Sequence, residues 1–277
     1  MLKKPPWLRI QNTQSPNQKH VEEVLKKLDL NTVCREAKCP NSIECYSRKT
    51  ATFMILGTVC TRNCSFCNVD FGPPQPVKET EPETIAQAVK ELGLQYVVIT
   101  SVTRDDLPDG GAKHFARVIH AIRNTSPETA VEVLIPDLNF RSLEVVAGAE
   151  PAVVGHNMET VESLYPLVRP QADYRRSLDL LKNIKEMNIR SKTGIMLGLG
   201  ETKELVLALF DDLNEAGCDI LTIGQYLSPS KSHFPVQKYI EPEQFDEYKK
   251  TAEDKGIIHV ASAPFVRSSY HAERFVL

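Results

Sequence analysis

From about residue 51 onward the chain alternates short apolar runs with amphipathic segments, and this rhythm restricts the fold more than any other feature. Strand-like runs lie at 51–56, 96–100, 131–135, 152–154, 192–199 and 220–223. Helix-like segments fall at about 80–92, 112–123, 139–148, 174–187, 203–216 and 242–255. Strands alternating with helices of this length form βαβ units around a parallel sheet. The expectation is an α/β fold: a partial (β/α)6 TIM-type barrel over residues 51–256, with 257–261 a candidate further strand. Residues 1–50 stand outside the rhythm. Lys19–Leu28 has the pattern of a short amphipathic helix, and 32–49 has no clear period. The first 50 residues are therefore expected to form an extension packed on the barrel. Residues 257–277 are expected to form a carboxy-terminal segment that closes over the barrel mouth.

The polar and Gly-rich signatures follow the strand-like runs. Cys60–Cys67 follows the first, Thr100-Ser-Val-Thr-Arg-Asp-Asp the second and Gly155-His-Asn-Met-Glu-Thr the fourth. Gly198-Leu-Gly-Glu follows the fifth and Gln225-Tyr-Leu-Ser-Pro-Ser the sixth. In parallel barrels the loops at the carboxy-terminal strand ends build the active site, so this placement predicts an enzyme. With 277 residues, 42% of them hydrophobic, the chain can bury a full core. A net charge of −3 without basic runs gives a nucleic-acid partner no electrostatic support. No apolar stretch approaches the roughly 20 residues of a membrane span, and the first residues lack the apolar core of a secretion signal. A cytoplasmic monomer is expected. In that compartment thiols stay reduced, and clustered cysteines serve as metal ligands or catalysts.

Six of the seven cysteines form two triples. Cys60, Cys64 and Cys67 stand as C-x3-C-x2-C, and Cys34, Cys39 and Cys45 as C-x4-C-x5-C. Each triple is one ligand short of the four that close a structural zinc or iron–sulfur site. Three thiolates on a short loop can each hold one iron of a 4Fe–4S cube, leaving the fourth iron open to a small chelating molecule. Zinc is the competing reading of the spacing.

C-x3-C-x2-C with an aromatic, Phe66, before its last cysteine resembles the signature of radical S-adenosylmethionine enzymes. In that family the open iron chelates the cofactor, an electron cleaves its sulfonium, and a 5′-deoxyadenosyl radical abstracts hydrogen from an unactivated carbon. The upstream triple, Thr100–Asp106, Arg169-Pro-Gln-Ala-Asp-Tyr, Lys192-Thr-Gly and Arg267-Ser-Ser-Tyr together are similar to the lipoyl synthase family. The resemblance covers residues 34–270. It implies two 4Fe–4S clusters and S-adenosylmethionine as cofactors. It also implies that the Cys34 triple holds an auxiliary cluster whose fourth ligand is a serine of Arg-Ser-Ser-Tyr. Ser268 and Ser269 are both candidates from the residues alone, and the resemblance favours Ser269. An oxygen ligand holds such iron less well than thiolate, which suits a cluster that surrenders its own sulfide. The implied reaction is sulfur insertion at carbons 6 and 8 of an octanoyl chain on a lysine of a lipoyl carrier domain. Such carriers include the glycine cleavage H protein and 2-oxoacid dehydrogenase E2 subunits. A flavodoxin or ferredoxin is the implied reductant.

Other residues are weighed against plainer roles. Ser101 with Arg104–Asp105 resembles the family's replacement for a Gly-Gly-Glu loop. Asn157 and Glu159 are candidates for ribose or the methionine amine, and Lys192 for the methionine carboxylate; the plainer reading of each is an ion pair or loop cap. Phe66 offers backbone groups to adenine or is a core aromatic. Cys218 reads as a buried free cysteine. His156, His233 and His271 are assigned no ligand role, and Gly110-Gly111 reads as a turn. A biotin synthase-like enzyme, an electron carrier and a zinc-stabilised module are the competing functions. The upstream triple and the Arg-Ser-Ser-Tyr tail oppose the first, and the barrel pattern opposes the second. Colour separates the third, because a zinc module is colourless and an iron–sulfur enzyme brown.

Overall fold

The computed structural model describes residues 3–9, 16–48 and 51–276. Its amino-terminal part carries α1 (Pro16–Lys27), α2 (Val33–Glu36) and α3 (Ser42–Ser47). Strand β1 (Thr52–Ile55) comes next, then the short strands β2 (Val59–Cys60) and β3 (Asp70–Phe71). The alternating part follows as α4 (Glu81–Leu92), β4 (Tyr96–Ser101), α5 (Ala112–Thr125), β5 (Ala130–Leu134), α6 (Phe140–Ala147) and β6 (Val153–Gly155). It continues as α7 (Tyr165–Val168), α8 (Tyr174–Glu186), β7 (Arg190–Leu197), α9 (Lys203–Glu215), β8 (Ile220–Gln225), α10 (Pro242–Asp254) and β9 (His259–Ser262). Seven strands form one sheet in the order β1-β4-β5-β6-β7-β8-β9. The order follows the chain, and β1–β4, β4–β5, β7–β8 and β8–β9 pair in parallel, as a partial TIM-type barrel requires. The candidate further strand is β9.

Local chemistry sets the element ends. Asn139, Asp173 and Thr202 each accept a backbone N–H from the first turn of α6, α8 and α9, satisfying donors the helix cannot. Gly93 ends α4 at φ +64°, a conformation costly for residues with a Cβ.

Two compact units divide the chain, Gln11–Arg62 with Asn68–Val154, and Met1–Ile10 with Asn63–Cys67 and Gly155–Leu277. The first has its core between β1, β4 and β5 and helices α4 and α5. Phe53, Ile55, Ile99, Val133, Ile85, Val89, Phe115 and Ile119 are all buried there. In it, the segment bearing Cys34, Cys39 and Cys45 is docked on β1: Thr32 bridges Phe53, and Met54 N–H donates to the Asn31 carbonyl at 2.9 Å. In the second unit Val168, Leu199 and Tyr226 form a buried cluster joined by Phe66, Leu164, Met196, Phe234 and Val236.

The tail of the second unit starts at the end of β8, where Gln225 N–H donates to the Pro264 carbonyl at 3.1 Å. It continues along β7 and β8. The Val266 carbonyl lies against Gly224, nearer than a Cβ there would permit, and Ser268 Oγ stands 2.6 Å from where a Cβ on Gly194 would be. The tail finishes with Phe275 beside the start of β7, its carbonyl accepting from Arg190 at 2.6 Å.

Candidate iron–sulfur and cofactor site

The loop after β1 carries Cys60, Cys64 and Cys67, all three partly exposed and outside any disulfide. In the first unit Arg62 fixes its leading half. The guanidinium grips both Asp105 oxygens at 2.8 Å and also pairs with Asp137, which is only 4% exposed. Breaking a buried pair of this kind costs on the order of 3–5 kcal/mol, because it leaves a carboxylate without its counter-charge. The Arg62 hydrogen bond holds the Asp105 carboxyl below the usual carboxylate range. Thr61 donates N–H and Oγ–H to the Thr103 carbonyl. The 104–105 pair, proposed from sequence as part of a cofactor loop, is thus engaged with protein groups: Asp105 with Arg62, and Arg104 with Asp106 and the Leu56 carbonyl.

The trailing half is held within the second unit. Asn63 N–H donates to Gln171 of the Arg169-Pro-Gln-Ala-Asp-Tyr motif at 2.9 Å, and Ser65 Oγ to the Leu167 carbonyl at 2.9 Å. His233 Nε2 lies 3.0 Å from the Cys67 carbonyl, and its Nδ1 is 2.7 Å from Ser230 Oγ. A carbonyl can only accept, so Nε2 carries the hydrogen and donates it to Cys67. His233 thus has a positioning contact that sequence reasoning did not assign. The Phe66 side chain packs into the apolar cluster of its unit, as a core aromatic does.

In the upstream triple, α2 is capped by Thr32 Oγ1, which accepts from Arg35 N–H at 3.3 Å. Cys34 is buried, and burial pushes its thiol pKa up to about 11. Cys39 N–H donates to the Cys34 carbonyl at 3.0 Å, and Cys45 N–H to Asn41 at 2.9 Å. Asn68, just after Cys67 in sequence, donates to the Glu36 carbonyl at 2.7 Å. None of the cysteines is in a disulfide. Among the described residues no group of three or more His, Cys, Asp or Glu side chains is gathered to hold a single metal ion. Cys218 is buried, and its thiol pKa is pushed up to about 12 by that burial.

The remaining candidates lie as follows. Ser101 ends β4, and its buried hydroxyl has no hydrogen-bond partner among the described residues. A buried donor left unmet is costly, and it fits a ligand that would complete it. Asn157 and Glu159 follow β6 and touch: Asn157 Nδ2 donates to Glu159 Oε1 at 2.9 Å. Their loop is stiff. Arg169 donates to the Asn157 carbonyl at 2.8 Å, and Thr193 Oγ1 accepts from Met158 N–H at 3.1 Å. Lys192 is buried early in β7 with its ammonium 5.8 Å from the centre of the Phe275 ring. Ser268 Oγ donates to Asn157 Oδ1 at 2.8 Å, whereas Ser269 makes no hydrogen bond among the described residues. Glu159 and Asn157 thus come together, and Ser268 joins them.

Burial holds the Glu159 carboxyl above its ordinary 4.5. The folded chain therefore keeps this proton at pH values where the unfolded chain has released it. The contribution to stability is full below about pH 4.5 and is lost as pH rises through the folded value. Glu159→Gln should gain stability relative to the parent as pH increases. Urea midpoints at about pH 5 and about pH 8 measure this; an offset independent of pH would contradict it.

Residues 54–213 match the model of the radical SAM superfamily. In shape the chain is similar to Streptococcus suis SuiB bound to S-adenosylmethionine, with a TM-score of 0.60 and 14% identity over 88% of this chain and 60% of that one. It is likewise similar to the FeFe-hydrogenase maturase HydG from Carboxydothermus hydrogenoformans, with a TM-score of 0.60 and 14% identity over 93% of this chain and 77% of that one. The sheet and the cysteine loop are thus those of a radical S-adenosylmethionine enzyme, a class defined by a 4Fe–4S cluster and that cofactor.

The full-length relatives narrow this. The lipoyl synthase of Alkaliphilus metalliredigens is 55% identical over 98% of this chain and 94% of its own length. That of Caldicellulosiruptor saccharolyticus is 58% identical over 98% and 96%. The chain belongs to the lipoyl synthase family, radical enzymes that insert sulfur. Among the described residues no helix is long and apolar enough to cross a membrane.

Proposed function

We propose that this chain, acting in the cytoplasm, inserts sulfur at carbons 6 and 8 of an octanoyl group carried on a lysine of a lipoyl domain. Cys60, Cys64 and Cys67 hold the cluster that binds S-adenosylmethionine; Cys34, Cys39 and Cys45 hold an auxiliary 4Fe–4S cluster that donates the sulfur. The carriers are H-protein-type or E2-type lipoyl domains, and a flavodoxin or ferredoxin supplies electrons. The observation that carries this reading is the pair of disulfide-free cysteine triples, each tied by backbone and side-chain hydrogen bonds.

When bound, the cluster and S-adenosylmethionine supply the radical that removes hydrogen from the octanoyl chain. The protein's residues orient and shield. Arg62 and His233 hold the two halves of the cysteine loop. Phe66 would offer backbone groups to adenine, and the unmet Ser101 hydroxyl would complete its hydrogen bonding on the cofactor. Asn157 and Glu159 take the ribose or the methionine amine. Lys192 serves the methionine carboxylate less directly, because its ammonium already faces Phe275. Ser269 is the auxiliary ligand of choice over Ser268, whose hydroxyl is engaged by Asn157.

Protein reconstituted without oxygen should carry about eight iron and about eight acid-labile sulfide per chain, from two four-iron cubes. It should convert an octanoyl-lysine peptide to a product heavier by two sulfur atoms. About four iron per chain, or a product lacking sulfur, would refute the two-cluster reading.

A further inference from the structure

Ser268 and Asn157 are 111 residues apart in the chain and joined by one hydrogen bond of 2.8 Å. The contact is prepared from both sides. Arg169 holds the Asn157 backbone: its Nη1 donates to the Asn157 carbonyl at 2.8 Å and to the Met158 carbonyl at 3.2 Å, and lies 3.2 Å from the Tyr165 hydroxyl. Gly194 leaves the space in which the Ser268 hydroxyl sits, since a Cβ there would lie 2.6 Å from Ser268 Oγ and 3.0 Å from Asn157 Oδ1. With its backbone held, the main remaining freedom of Asn157 is rotation of its amide. Its Oδ1 accepts from Ser268 while its Nδ2 donates to Glu159 Oε1, so both ends of the amide are engaged.

We propose that Ser268 is a positioning residue that couples the docked carboxy-terminal tail to S-adenosylmethionine binding. It acts by locking the Asn157 amide and, through it, the Glu159 carboxyl. This rests on the reading of Asn157 and Glu159 as cofactor contacts. Coupling of this kind is reciprocal: a seated tail raises affinity for the cofactor, and bound cofactor holds the tail in its seat by the same factor. The two serines of the motif then have separate tasks, Ser268 toward the cofactor and Ser269 toward the auxiliary cluster.

The test uses reconstituted holoenzyme with both clusters loaded. Equilibrium binding of S-adenosylmethionine and amide hydrogen exchange over residues 264–270 are measured for the parent, Ser268→Ala, Asn157→Ala, Glu159→Gln and the Ser268→Ala/Asn157→Ala double variant. Loss of one hydrogen bond should weaken cofactor binding by about fivefold in Ser268→Ala. The double variant should bind no worse than Asn157→Ala alone, since both changes remove the same link. Cofactor should slow exchange in the tail of the parent and do so less in Ser268→Ala. Weakened binding in Asn157→Ala with parent-like binding in Ser268→Ala would overturn the coupling and leave the cofactor-site reading intact. Additive losses in the double variant would also overturn it. Parent-like binding in both Asn157→Ala and Glu159→Gln would remove the cofactor-site reading itself, and the coupling with it.

Discussion

Alanine at Cys60, Cys64 or Cys67 should lower 5′-deoxyadenosine formation by at least about a hundredfold under reducing, anaerobic conditions. Removing even an outer-shell partner of a metal site costs about 10–100-fold, and a ligand is a larger loss. The rest of the loop does not compensate. Arg62 with Asp105 and Asp137, and His233 with the Cys67 carbonyl, fix the backbone and leave the thiols as the groups to bind iron. Each thiolate of a three-cysteine cube binds a different iron, so no neighbour can stand in for a missing one. Cofactor cleavage at the parent's rate in any of the three variants would show that the cluster is held elsewhere.

The second large effect separates the two triples. Cys34→Ala, Cys39→Ala and Cys45→Ala should each retain cleavage of S-adenosylmethionine, at a reduced rate, while the lipoyl product falls below about one per cent of the parent's. Iron should drop from about eight to about four per chain. These cysteines lie on α2, α3 and the turn between them, a segment docked to β1 by the Thr32–Phe53 bridge, and not on the loop that Arg62 and His233 hold. Cys34 is also the most deeply set thiol of the six, and iron must replace its proton on binding. Normal lipoyl yield from a variant that has lost half its iron would mean that the sulfur comes from another source.

The alternating part of the fold was legible because its strands are short apolar runs and its helices long enough for their period to register. Each of the six strand-like runs corresponds to a strand, within two residues at every end, and the six helices expected between or after them start and stop within two residues of expectation. What escaped were elements too short to carry a period. Helices α2 and α3 have four and six residues, and strands β2 and β3 have two each. They are set by a threonine cap, by backbone bonds and by docking on β1, none of which leaves a repeat in the sequence.

The candidate site was legible in its cysteines and less so in its polar neighbours. Spacing identifies thiols that can share a cluster, but it does not reveal which charges are already matched. Arg104 and Asp105 read in one dimension only as part of the segment that resembles a replacement for a Gly-Gly-Glu loop, and in three dimensions they pair with Asp106 and Arg62. Lys192 faces an aromatic ring that lies 83 residues further along the chain (275 minus 192). His233 and Gln171 had no signal of their own beyond sitting in signature segments, because holding a carbonyl or an amide of a distant loop demands only one hydrogen-bonding group at the right place.

The tail has a consequence for how the chain can vary. Its seat on β7 and β8 is made by what two positions lack: Gly194 leaves room for the Ser268 hydroxyl, and Gly224 for the Val266 carbonyl. Neither glycine is required by its own backbone angle, since neither has a positive φ. Without the tail, Gly224 would tolerate alanine, or gain from it through a less flexible unfolded chain, whereas at Gly194 Thr222 Oγ1 of β8 would also lie 2.8 Å from the added methyl. At Gly224 it is the returning tail that forbids the exchange, and at Gly194 the tail adds the tightest of the contacts. A methyl group at either site, the smallest side chain available, would meet the tail's own atoms, at Gly224 a rigid carbonyl that cannot swing aside. Mutational freedom in the middle of two strands is thus set by residues some 40 to 75 positions away, and the strands and the tail are bound to change together or not at all.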